Sequence, residues 1–189
     1  MRRVLAAAWI GLALPGGSAL AQDTFVGRSA ASMRDLDAVA PGASLRTACA
    51  EQIEASFDLP AMARAVAGLD IWDRLGAARQ PAFIAALRAR LATECTHRQR
   101  GGTLTPLATR QTAAGVSLTV RLTLPDGGER ILVWRLHEGG PWGWRASDLV
   151  VDGISAAAAL RDEVRAGVEA ADGDVAAAIP ALSRGAPPP

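Results

Sequence analysis

The sequence predicts an α+β domain in which helices come first and strands follow, on three observations. Phe83, Leu87 and Leu91 recur every four residues, with Ile84 beside them, so a long segment carries one apolar helical stripe. From Val116 the period drops to two: Val116, Leu118, Val120, Leu122 and Leu124 alternate with Ser117, Thr119, Arg121 and Thr123. After Gly153 the chain returns to an alanine-rich helical composition. Runs of helix followed by runs of strand are the pattern of α+β folds, and no internal repeat competes with that reading. The expected architecture is N-terminal helices, a twisted antiparallel sheet of about four strands, and C-terminal helices.

The punctuation sets the elements in order. Thr24 to about Val39 reads as a helix with Phe25, Met33 and Leu36 on its apolar side, broken by Pro41-Gly42. Ser44 is placed to cap a second helix running to Phe57. Asp58 is placed to cap a third, with Pro60 in its first turn and Gly68 at its end. A short segment holds Ile71, Trp72 and Leu75, and a long helix then runs from Arg79 to about Arg100, stopped by Gly101-Gly102. Thr105–Gln111 is a first strand, Val116–Leu124 a second, Arg130–Leu136 a third and Trp142–Asp152 a fourth. Pro125-Asp-Gly-Gly128 and Glu138-Gly-Gly-Pro141 are the turns between the last three, their glycines tolerating positive φ. A helix from Ser155 to about Ala170 and a short one from Asp174 to about Leu182 close the chain.

The N-terminus has the form of a secretory signal. Arg2 and Arg3 precede a short apolar core, Val4–Leu14, and Ala19-Leu20-Ala21 supplies small residues at a cleavage site before Gln22. The apolar run is too short for a membrane anchor and is interrupted by Pro15-Gly16-Gly17; a retained anchor is the alternative. Residues 22–183 are then one exported domain, expected in the periplasm, and 184–189 a disordered tail. Residues 1–21 carry two of the 20 arginines and none of the 19 acids, so the mature chain has a formal charge of −1. That balance offers no electrostatic case for nucleic acid or an anionic membrane surface. Lysine and tyrosine are both absent, and no function is drawn from that.

Cys49 and Cys95 are the two cysteines, both on expected helices of an exported chain, and the reading favours a bridge between them. By loop-closure entropy it would add about 4 kcal/mol. Two separate buried thiols are the alternative.

Enzymatic signatures are weak. No nucleophile elbow, phosphate loop or metal-spaced His/Cys cluster is present, so no catalytic residue, cofactor or metal is assigned. His97 ends the long helix beside Arg98 and Arg100, where the dipole favours cations, and His137 borders a turn and reads as solvated. Asp148 is the best isolated carboxylate, read as a partner for an arginine or for backbone N–H groups. A small pocket enzyme using that acid, or an adaptor with a filled core, are the readings from other classes.

Phe57-Asp-Leu-Pro-Ala-Met-Ala-Arg-Ala-Val-Ala-Gly68, then Trp72, then Ala78-Arg-Gln-Pro-Ala-Phe83 with Leu87 and Leu91, resembles the helical half of the toluene-tolerance (Ttg/Mla) family of periplasmic phospholipid carriers. The strand ending Trp144-Arg-Ala-Ser-Asp148-Leu-Val-Val-Asp-Gly153-Ile-Ser155, followed by Arg161, is similar to the family's closing segment. The Gly68-to-Trp72 spacing is about one residue longer than the family's, Cys95 replaces an expected tyrosine and Val164 an expected aromatic; these departures bear on which lipid is carried.

The resemblance implies a sheet wrapped by helices around an apolar pocket, and no catalytic step. It implies lipid transport between an inner-membrane ABC transporter complex and an outer-membrane lipoprotein complex, maintaining outer-membrane asymmetry. A hopanoid-associated relative of the same family is the alternative. The expected pocket lining is Trp72, Leu75, Leu87, Leu91, Leu118, Val120, Leu122, Leu132, Trp134, Leu149, Val151 and Ile154. Arg161 and Arg165, one helical turn apart, are placed to meet a head group or an acidic partner; a solvated helix face with Asp162 and Glu163 is the alternative. The expected state is a monomer.

Overall fold

The computed structural model describes residues 17–98 and 100–184. Most of the expected signal segment and the tail beyond Arg184 therefore lie outside the described residues. Three helices, α1 (Gly17–Ala38), α2 (Ala43–Ser56) and α3 (Leu59–His97), precede the strands β1 (Thr103–Thr112), β2 (Gly115–Thr123), β3 (Glu129–Glu138), β4 (Trp144–Val151) and β5 (Ile154–Ser155). Then come α4 (Ala156–Glu169), a single 3₁₀ turn at Val175–Ala177, and α5 (Ala178–Arg184). The sheet is an antiparallel meander in chain order, so each strand pairs with its sequence neighbour. This is the α+β arrangement that the change of period predicts, with a two-residue fifth strand added at the edge.

The residues behind these elements account for their boundaries. Asp58 caps α3, its Oδ1 accepting from the Ala61 N–H at 2.9 Å. The same residue joins helix to sheet: its backbone N–H donates to the Ala146 carbonyl, and its Oδ2 lies 2.9 Å from His137 Nε2. His137 is therefore half-buried against the cap, which corrects its reading as solvated. α2 starts at Ala43 behind Gly42 with no side-chain cap, so Ser44 lies inside the helix rather than at its cap.

Helical geometry stops at Gly68 as expected, but it resumes at once across a kink, so the segments run on as one bent helix. α3 continues through Gly68 (φ 72°, ψ 162°) and Gly76 (φ 64°, ψ 170°) to His97. Each glycine takes a positive φ that turns the chain within one residue, so helix resumes at once and no loop is needed.

One apolar cluster joins Phe25, Met62, Phe83, Leu87, Leu118, Val120 and Leu182 between the helices and one face of the sheet. A second gathers Leu36, Leu45, Cys49 and Ala92 between α1, α2 and α3. There the Cys49–Cys95 disulfide links α2 to α3, 46 residues apart in sequence.

Asp148 carries the start of α4. It is buried, with Oδ2 accepting from Ser155 Oγ at 2.7 Å and Oδ1 from the Ala157 N–H at 3.1 Å; the exposed Arg135 lies 3.5 Å away. Ser155 in turn caps Ala158. The strand acid thus accepts from a backbone N–H and lies beside an arginine, as expected, and it forms part of a two-tier helix cap. Asp148→Ala strands the buried Ala157 N–H and the part-buried Ser155 hydroxyl and is expected to cost about 3 kcal/mol in urea unfolding. A loss under about 1 kcal/mol would show that α4 starts without it.

A candidate lipid cavity between sheet and helices

Leu118, Val120 and Leu122 share one face of β2, yet the first two are fully buried while Leu122 is partly open. Phe83, Leu87 and Leu91 share one face of α3 and repeat the trend, ending on a partly buried Leu91. Burial therefore falls off along both elements toward Leu91 and Leu122. Leu91 and Leu122 line a cavity of about 650 Å³, within the size range of small-molecule sites.

Its floor is a patch of cross-strand neighbours. Leu104 pairs with Leu122, Leu132 with Val151, and Trp134 with Leu149, and all six line the cavity. α1 contributes Ser29 and Met33, α2 contributes Gln52, Ile53 and Ser56, and Phe57 follows. α3 adds Arg90, Leu91, Glu94 and Cys95, Arg98 follows it, and α4 adds Ala156, Ala159, Leu160 and Glu163. Trp134 in the lining carries aromatic contacts, its ring centroid lying 5.2 Å from Phe25 and 5.7 Å from Phe57.

The charged residues of the lining are engaged by carboxylates. Arg90, only 8% exposed, meets Glu94 at 2.8 Å and Glu163 at 3.0 Å, tying α3 to α4. Arg98 pairs with Asp37 at 2.9 Å and Arg130 with Asp152 at 3.0 Å. The Ile131 backbone N–H, helped by Arg130, holds the Asp152 carboxyl below its ordinary value of 3.8. A lowered folded value means this tie is complete above about 3.8 and is lost only as pH falls through the lowered value.

Of the residues the sequence places in the lining, Leu91, Leu122, Leu132, Trp134, Leu149 and Val151 line the cavity. Leu75, Leu87, Leu118 and Val120 lie in the packed core, and Trp72 packs against Phe83 with ring centroids 6.3 Å apart. Ile154 sits on the edge strand, 69% exposed. Arg161 and Arg165 are outside the lining as well. Arg161 Nε donates to the Ala65 carbonyl at 2.7 Å, and its stem lies over Gly68. It thereby satisfies a carbonyl at the α3 kink, a structural duty for that arginine. Arg165 pairs on its own helix with Asp162 at 2.9 Å and Glu169 at 3.9 Å.

Sequence reasoning missed the contributions of α1, α2 and the Arg90–Glu163 bridge. The one available signal was Arg90 itself, a charge one position from the apolar Leu91. Among the described residues, no group of three or more His, Cys, Asp or Glu could hold a metal ion, and no helix is long and apolar enough to cross a membrane.

No curated protein matches the chain. One similar solved structure is the phospholipid-binding protein from Ralstonia solanacearum, determined in complex with a phospholipid at 1.53 Å. It shares 18% identity with a TM-score of 0.66, over 87% of this chain and 95% of that one, a likeness of fold. The family model described as MlaC protein matches residues 25–183. With the match spanning nearly all of the helices and the whole sheet, the chain belongs to the MlaC protein family.

Proposed function

We propose that this protein is a non-catalytic carrier that holds a phospholipid by its acyl chains in the cavity and moves it across the periplasm. Its route runs between an inner-membrane ABC transporter complex and an outer-membrane lipoprotein complex. The observation that carries this reading is the cavity with an apolar floor of cross-strand pairs and charged side chains already held in ion pairs. Family membership and the phospholipid bound to the Ralstonia protein of like fold support it. On this reading Leu91, Leu122, Leu132, Trp134, Leu149 and Val151 contact the chains, and residues 22–183 act after removal of 1–21.

The energetics suit a carrier. Each methylene taken out of water gains about 0.8 kcal/mol, so about ten of them outweigh any single polar contact the site offers. The bilayer interior offers the same gain. Cavity and membrane are therefore near balance, and the cost that the carrier removes is the passage through water. Docking at a membrane complex then suffices to load or release the lipid.

A vesicle assay checks this. Added protein is expected to accelerate movement of a fluorescent phospholipid from donor to acceptor vesicles in proportion to its concentration, with the lipid chemically unchanged. A rate equal to the protein-free control would overturn the carrier reading, and a hydrolysed lipid would replace it with an enzymatic one.

A further inference from the structure

Gly101 and Gly102 precede β1, and the two glycines answer to different constraints. Gly101 takes φ 75°, a conformation that side chains rarely adopt, so the backbone itself accounts for it. Gly102 has no positive φ, and its backbone would accept a side chain. What position 102 lacks is room. A Cβ placed on Gly102 would lie 2.5 Å from Leu122 Cδ1 and 3.3 Å from Met33 Cε, where carbon atoms at ease stand about 3.5–4.0 Å apart. Leu122 comes from β2 and Met33 from α1, and both line the cavity. Leu104, two residues along from Gly102 and paired with Leu122, lines it as well. With no side chain at 102, the Leu122 and Met33 side chains lie against the backbone there.

We infer that Gly102 is a specificity-determining residue that sets how much of an acyl chain the cavity holds. Leu122 Cδ1 and Met33 Cε are the far ends of flexible side chains, so they yield to a larger residue at 102. The open space that both border is the cavity, and whatever they take there is lost to the lipid. A methyl group at 102 therefore displaces about one methylene of bound chain, and a larger side chain displaces more. This rests on the lipid-binding reading and adds a selectivity for chain length to it.

The probes are saturated lysophosphatidylcholines from decanoyl to stearoyl. Each competes against a fluorescent fatty acid on the delipidated mature protein. For the wild-type protein, affinity is expected to rise by about fourfold per methylene until the chain fills the cavity, and then to level off. In Gly102→Ala the plateau affinity, relative to the decanoyl lipid, is expected to fall about fourfold, with the melting temperature of the delipidated protein close to wild type. In Gly102→Val the plateau is expected at a shorter chain. Adding Leu122→Ala to Gly102→Val removes as many carbons as valine brings, and is expected to return the plateau to the wild-type length. A loss of affinity equal at every chain length would mean that the glycine serves the fold alone, and would overturn the inference. So would a profile unchanged in Gly102→Val, or a shortened profile that Leu122→Ala does not restore; in each of these cases lipid binding itself stands. Failure of the wild-type protein to bind any member of the series removes the lipid reading and this selectivity together.

Discussion

Leu122→Arg is expected to abolish phospholipid loading while the protein stays folded. Leu122 lies on the cavity floor between Leu104 and Arg130 and is partly open, so a longer side chain has room to enter the cavity without displacing the packed core. The guanidinium would bring an unpaired charge beside Arg130, against acyl chains that have no group to meet it. Loading is expected to fall at least tenfold, with circular dichroism and elution volume unchanged. Thr119→Arg is the control. Thr119 alternates with Leu118 and Val120 and so points away from the helices, and its replacement is expected to leave loading as it is. Full loading of Leu122→Arg would remove that residue from the site.

The second large effect concerns the disulfide. Cys49 is fully buried, and Cys95 lines the cavity, so the bridge fastens two walls of the site together. Closing a 46-residue separation restricts the unfolded chain by about 4 kcal/mol. Replacing both cysteines with alanine is expected to lower the melting temperature by about 10 °C. The native protein should resist alkylation until it is reduced, then accept two labels. Rapid labelling without reductant would mean that the bridge does not form, and an unchanged melting temperature would mean that it does not stabilise.

The parts of the fold that sequence made legible are those decided locally. Alternation from Val116 to Leu124 gives the face of β2, Pro125-Asp-Gly-Gly128 gives the hairpin, and Asp58 and Ser155 announce helix starts. Periodicity reports which face of an element is covered. It does not report how far along that face the cover extends, and this is why Leu118 and Val120 were grouped with Leu122, and Leu87 with Leu91. Core and cavity lining differ by one helical turn or one strand repeat. Contributions from distant elements were not visible at all. Ser29, Gln52 and Glu163 look like ordinary polar positions on amphipathic helices until tertiary packing brings α1, α2 and α4 around one space. Arg161 shows the converse. A cation after the closing strand invited a ligand role, and a kink at Gly68 that sequence read as a helix end gave it a carbonyl to satisfy.

Native mass spectrometry of the mature protein, purified from a bacterial periplasm without detergent and then extracted with solvent, tests the central claim most directly. One phospholipid per protein, released intact by extraction, is the expected result, and its mass identifies the lipid class. A bare protein mass that persists after incubation with phospholipid vesicles would contradict a lipid carrier and point to an adaptor or an enzyme built on the same fold.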